Sequence, residues 1–231
     1  MGTFQEQKRI SVVIPTLDAA EELPEALAVL AGSALIREII VSDGGSRDAT
    51  IAIAETAGAR VVSGARGRGP QLIAGAGAAS GEWLLFLHAD CRLSPGWEAA
   101  VARFIAAAGA AEHAGYFGFA LDDAEPAARR LERIVAWRCR VLGLPYGDQG
   151  LLISRKLYDA VGGFAPLPLM EDVDFARRLR RRRLMPVEAQ IVTSARRYRR
   201  DGYWRRPMRN LLCLSLYFAG VPPRRIARLY G

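Results

Sequence analysis

Short apolar runs alternate with longer stretches of helical spacing through the first hundred residues. Ile10-Ser11-Val12-Val13-Ile14-Pro15 predicts a buried strand closed by Pro, and residues 21–31 repeat apolar positions as an amphipathic helix does. Residues 39–42, 60–63 and 82–87 read as further strands, with helices predicted over 50–57 and 70–79 between them. Such alternation is the pattern of a mostly parallel central sheet flanked by helices, so the expected fold class is α/β. Ligands of open parallel sheets bind beyond the carboxyl ends of the strands. Asp18, Asp43 and Asp90 all fall there.

The pattern loosens afterwards. Helices are predicted over 97–108 and 127–142 and strands over 116–121 and 150–154, with no linker and no internal repeat. One domain over residues 1–231 is therefore expected, ending in a basic-aromatic helical tail, 204–231.

Charge divides the chain. Residues 1–126 hold 9 Lys/Arg against 16 Asp/Glu, net −7, whereas residues 127–231 hold 23 against 8, net +15. The acidic part suits a metal, and the basic part attracts phosphate-bearing or anionic-surface partners. Three Cys without paired or metal-type spacing read as reduced thiols. The polar segment 1–9 leaves no room for a signal peptide's apolar core, and the apolar run 211–220 is about half of the roughly 20 residues a spanning helix needs. A cytoplasmic protein is expected, touching the inner face of a membrane at most through its tail.

Candidate chemistry sits in the loops. In Val41-Ser42-Asp43-Gly44-Gly45-Ser46-Arg47-Asp48, Ser46 or Asp48 can cap the following helix, and Asp43 is left to read a ligand base or ribose. Arg66 and Arg68 flank Gly67 as a clamp for phosphates. The dinucleotide spacing fails there because its third glycine position is Leu72. Asp148 and Gln149 sit just before a predicted strand, where a turn with Asp as its local acceptor explains part of the signal. Glu171 and Asp172 open a helix, where acids also favour the dipole without any catalytic role. The arginines of 177–183 share their helix with Phe175, Ala176 and Leu179 and read as a solvated face more than a nucleic-acid patch.

Pro15-Thr16-Leu17-Asp18, the Asp43 to Thr50 loop, His88-Ala89-Asp90 and Glu171-Asp172 occur in the order and spacing of family-2 glycosyltransferases with the GT-A fold, which the chain resembles over roughly residues 10–200. The resemblance implies an inverting transfer of a single sugar from a nucleoside-diphosphate donor, UDP- or GDP-linked, to a small-molecule or lipid acceptor, assisted by Mn²⁺ or Mg²⁺. It implies that Pro15, Thr16, Asp18, Asp43, His88 and Ala89 contact the donor nucleotide, that Asp90 binds the metal, and that Asp172, beside Glu171, is the general base. It also implies that Asp148 and Gln149 face a sugar and that Arg197 and Arg200 close over the diphosphate. Residues 10–125 would then be the nucleotide-sugar part and 126–203 the acceptor part. The family's metal motif has two aspartates around one residue, and His88 replaces the first, which leaves metal preference open.

More narrowly, His88-Ala89-Asp90-Cys91-Arg92-Leu93, Gly147-Asp148-Gln149 and Met170-Glu171-Asp172-Val173-Asp174 resemble a compact bacterial subgroup sometimes associated with arsenosugar biosynthesis. Processive members carry a Gln-x-x-Arg-Trp signature that 196–205 lacks, so long-chain synthesis is not expected. A nucleotidyltransferase is the enzyme alternative, but residues 15–20 lack the lysine of a triphosphate loop. The other alternative is a basic nucleic-acid-binding protein, although no nucleic-acid partner is expected. The tail could lie on an anionic membrane, pack on the domain or form a homodimer.

Overall fold

Ile10, Val12, Val13 and Ile14 are shielded completely from solvent, as a central strand covered on both faces requires. They belong to β1 (Ile10–Thr16) of the computed structural model, which describes residues 9–230, the side chains of Arg197, Asp201 and Tyr230 excepted. The first half of the chain follows with α1 (Leu23–Leu30), β2 (Ile36–Asp43), α2 (Thr50–Thr56), β3 (Arg60–Ser63), α3 (Arg68–Ala78), β4 (Trp83–Phe86), β5 (Cys91–Leu93) and α4 (Trp97–Ala106). The second half adds β6 (Ala114–Leu121), α5 (Pro126–Leu142), β7 (Leu151–Ser154), α6 (Arg155–Ala160), α7 (Glu171–Leu179), β8 (Leu184–Thr193), α8 (Arg196–Asp201), α9 (Arg205–Phe218) and α10 (Pro223–Tyr230).

The eight strands form one mixed sheet in the order β3-β2-β1-β4-β7-β6-β8-β5. The pairings β1 with β2, β1 with β4, β2 with β3 and β6 with β8 are parallel, and β7 and β5 run antiparallel to their neighbours. Helices cover both faces. One core layer brings together side chains of α3, α5, α7, α9 and α10, and the other those of α1, α2 and α4.

Register positions the site. Thr16 pairs with Asp43 at the carboxyl ends of β1 and β2, and Cys91, next to Asp90, pairs with Thr193 at the end of β8. The helix expected from residue 21 begins at Leu23, with Pro24 in its first turn. The expected strand 39–42 extends back to Ile36. Strands β5 and β8 and helix α6 were not predicted. The tail packs on the domain, with Cys213, Leu214 and Ile226 buried in the core. Among the described residues no helix is long and apolar enough to cross a membrane.

Candidate active site

The loops after β1 and β2 are tied together by short polar side chains. Asp43 accepts from the Thr16 hydroxyl at 3.0 Å, from the backbone amides of Gly45 and Ser46 at 2.8 Å each, and from the Ser46 hydroxyl. These hydrogen bonds hold its carboxyl below the usual carboxylate range against the opposing effect of burial. Asp18, in the left-handed region with φ 49°, accepts from the Arg47 amide and donates its own amide to Ser46 Oγ. Asp48 accepts from the amides of Thr50, at the start of α2, and Ala20. Beneath the loops, the buried Gln71 amide donates to the carbonyls of Thr16 and Ser42, fastening the ends of β1 and β2 to α3.

A cleft of about 520 Å³ opens above these strand ends. Pro15, Thr16, Asp18, Arg66, Arg68, His88, Ala89 and Asp90 all line it, so eight of the residues expected around a donor and its metal come together in one place. Asp43 does not line it. Its carboxylate lies 1 % exposed beneath the loop and is engaged there, so in this structure it stiffens the wall.

A smaller cavity of about 80 Å³ shares Arg68, His88 and Asp90 with the cleft and adds Asp148 and Asp172. Asp172 Oδ2 accepts from the Gly147 amide at 2.8 Å and Oδ1 from the Val173 amide at 2.7 Å. Gly147 is the contact between two functional side chains: a Cβ there would lie 2.5 Å from His88 Nε2 and 3.6 Å from Asp172 Oδ2. Gly147→Ala must therefore displace His88 or the turn that aims Asp172. Because a misplacement of 1 Å can cost about 10²-fold in rate, we expect a loss of that order in kcat with an unchanged circular-dichroism spectrum. Near-wild-type turnover would show that the close approach does not matter.

Burial sets the protonation of the remaining acids. Glu171 is 1 % exposed and its Oε2 has no hydrogen-bond partner among the described residues. Burial, reinforced by the charge of Asp172, pushes its pKa up from 4.5 to about 7, against Arg68. Asp148 is raised too, by burial and by the charges of Asp172 and Asp90, with Arg138 opposing, and its shielded Oδ1 has no hydrogen-bond partner among the described residues.

The Glu171 shift has a sign that can be tested. Between pH 4.5 and 7 the folded chain keeps a proton that the unfolded chain has released, so this contribution is full below about 4.5 and is lost as pH rises through 7. Its ceiling is about 3 kcal/mol. Glu171→Gln, which keeps the neutral shape, is expected to flatten the dependence of Tm on pH across that window. Equal slopes in wild type and variant would refute the assignment.

His88, Asp90 and Cys91 place ligand atoms within 4.8 Å of one another. Cys91 is a poor member of this set. It is buried, and burial, then the charge of Asp90, drives its thiol pKa well above the usual value. It approaches Asp90 Oδ1 at 3.7 Å as a weak S–H donor. What remains, one carboxylate and one imidazole facing a cleft with two arginines, fits a divalent cation whose other ligands come from an oxyanion.

Two expected residues lie elsewhere. Gln149 is 1 % exposed, with Oε1 accepting from Arg138 and Cys139 and Nε2 donating to Phe117 O. It pins the turn that carries Gly147 and Asp148 and does not line the two cavities described above. Arg200 is exposed on α8 and likewise lines neither, and the side chain of Arg197 lies outside the described residues. The cation that α9 contributes is instead Arg206, beside Asn210, with its guanidinium 5.0 Å from the centroid of the Tyr198 ring. Neither residue was expected. Of the arginines in and after α7, Arg178 pairs with Asp174 at 2.7 Å and Arg177 lies over the rings of Tyr217 and Phe218, while Arg180, Arg181, Arg182 and Arg183 are exposed, as a solvated face requires.

The strand order, with a parallel half that delivers its loops to the cleft, is that of the GT-A fold. The sequence model described as Glycosyl transferase family 2 matches residues 11–167, more than half of the chain, and the chain belongs to that family. Its fold is similar to glucosyl-3-phosphoglycerate synthase from Mycobacterium tuberculosis in complex with Mn²⁺, UDP and glucosyl-3-phosphoglycerate, at 24 % identity and a TM-score of 0.55, covering 81 % of this chain and 70 % of that one. It is also similar to S. aureus TarS 1–349, at 19 % identity and a TM-score of 0.63, covering 81 % and 60 %. A structure of the latter with UDP-GlcNAc gives 18 % and 0.60, covering 80 % and 58 %. Comparison with curated proteins finds no match.

Proposed function

We propose that this glycosyltransferase moves one sugar, with inversion, from a nucleoside-diphosphate sugar to a hydroxyl of a small-molecule or lipid acceptor. One observation carries the reading: Asp90 and Asp172, far apart in sequence, stand in the wall of a single cavity that shares His88 and Arg68 with a cleft large enough for a nucleotide. Inversion needs a base on the side of the sugar carbon opposite the leaving group, so the carboxylate that serves it must be separate from the one beside the diphosphate.

Pro15, Thr16, Asp18 and Ala89 would seat the nucleoside in the cleft, and Arg66 and Arg68 would pair with the diphosphate. Asp90 and His88 would hold a divalent ion, which when bound neutralises charge on the departing diphosphate. Asp172 takes the acceptor's proton, its orientation fixed by the Gly147 and Val173 amides. Asp148, held toward its neutral form, offers a hydrogen bond to a sugar hydroxyl. The M. tuberculosis enzyme was crystallised with UDP and Mn²⁺ and S. aureus TarS with UDP-GlcNAc, which makes UDP-sugars the first donors to try here.

The test is a thermal-shift panel of nucleoside diphosphates and nucleotide sugars, with and without Mn²⁺ or Mg²⁺, followed by donor turnover with the responding nucleotide. A nucleotide that raises Tm and is then consumed supports the reading. No shift with any nucleotide would sink it.

A further inference from the structure

α9 is apolar on two opposite sides. Its inner side buries Cys213 and Leu214 and brings Arg206 and Asn210 to the small cavity. On the outer side Trp204, at the helix entry, is 72 % exposed, and Met208, Leu211, Leu212 and Phe218 are each more than half exposed. Their spacing of about four, three or seven residues puts them on one stripe.

α5 repeats the arrangement. Leu131, Val135 and Cys139 are buried, whereas Ile134 and Trp137, three residues apart, are 57 % and 56 % exposed, and Val141 follows on the same side. Both helices contribute to the same core layer, so the two stripes share one side of the sheet. Tyr203 Oη donates to Asp123 at 2.6 Å, holding the entry of α9 close to that of α5. Paired stripes of this kind exceed the scattered apolar side chains of an ordinary surface.

Charge identifies the occupant. Residues 202–231 carry six Arg and no Asp or Glu, and Arg205, Arg224, Arg225 and Arg228 are exposed. A second copy docking by the same face would bring one arginine-rich, acid-free segment toward another. Anionic headgroups would neutralise them, and Trp137 and Trp204 are the ring type that settles at a membrane–water boundary. We propose that the outer face of α5 and α9 docks on an anionic phospholipid bilayer, on which the protein lies without crossing it. The proposal does not depend on the catalytic roles assigned above.

Co-sedimentation of the full chain with phosphatidylcholine vesicles, with and without phosphatidylglycerol, tests it directly. We expect binding only where phosphatidylglycerol is present, weakened by salt, and an apparent affinity about ten-fold lower or worse for Leu211→Ser/Leu212→Ser. Both leucines are exposed, so the variant's Tm and its donor turnover in solution should match wild type. If that variant misfolds, Trp137→Ser reads the same face. Failure to sediment with either vesicle overturns the proposal, as does binding indifferent to both substitutions. So does a dimer in light scattering that the serines dissociate while vesicles capture nothing.

Discussion

Asp172→Asn is expected to lower the rate of sugar transfer by about 10²- to 10⁴-fold, the usual worth of a positioned general base, while nucleotide binding stays unchanged. The carboxamide preserves size and can still accept from one of the two amides that orient Asp172. What it loses is the capacity to take the acceptor's proton. Rapid-quench measurement of transfer together with nucleotide titration separates the two effects. Asp148 is the competing candidate, because it lines the same cavity, and Asp148→Asn is therefore the companion variant. Its carboxyl is already drawn toward the protonated form, a poor starting point for a base, so its replacement should affect KM more than kcat. A ranking in which Asp148→Asn abolishes transfer and Asp172→Asn retains more than about a tenth of it would reassign the base.

The first half of this fold was legible because its strands are continuously apolar and its helices periodic. Val12-Val13-Ile14 and Ile39-Ile40-Val41 can lie only in a sheet covered on both faces, and that sheet places their loops at the cleft. β8 was not legible. It follows a run of arginines, contains Pro186, Glu188 and Gln190, and gains its strand character from pairing with β6 and β5, which no local window can supply. The tail misleads for a different reason. Met208, Leu211, Leu212 and Phe218 of α9 are exposed while Cys213, Leu214, Leu216 and Tyr217 pack on the core, so apolar positions run around the helix and do not mark its inner face.

The site follows the same division. Residues just past strand ends, such as Asp18 and Asp90, were readable from strand position alone. Gln149 was readable as a polar group in a loop but not as an internally engaged one, because its partners Phe117 and Arg138 lie on other elements. Asp43, in contrast, carried a local signal of engagement: three of the four hydrogen bonds described above come from Gly45 and Ser46, two and three residues on. Gln71 had no signal at all. It sits in a helix of small residues, and its function is to satisfy two backbone carbonyls that only the tertiary structure brings within reach. Arg206 and Asn210 reach the cavity because α9 folds back over it, a fact with no local correlate.

Asp90→Ala is expected to remove the metal-dependent part of nucleotide binding. A ligand at about a hundred times its Kd stabilises a protein by about 2.7 kcal/mol, which for a chain of this length corresponds to about 5–10 °C in Tm. With nucleoside diphosphate and Mn²⁺ the wild type should show a shift of that size, whereas Asp90→Ala should show only what the nucleotide gives without metal. The histidine makes the prediction more specific. An imidazole nitrogen suits a transition ion better than Mg²⁺, which prefers oxygen ligands in an octahedron, so Mn²⁺ should give the larger shift in wild type. His88→Asp restores a second carboxylate and should narrow the gap between the two ions, with donor turnover following the same order. If Mg²⁺ and Mn²⁺ act equally in wild type and in His88→Asp, the imidazole is not a ligand and its place beside Gly147 serves the substrate. If Asp90→Ala keeps the full metal-dependent shift, the ion binds elsewhere and the division of labour between Asp90 and Asp172 fails with it.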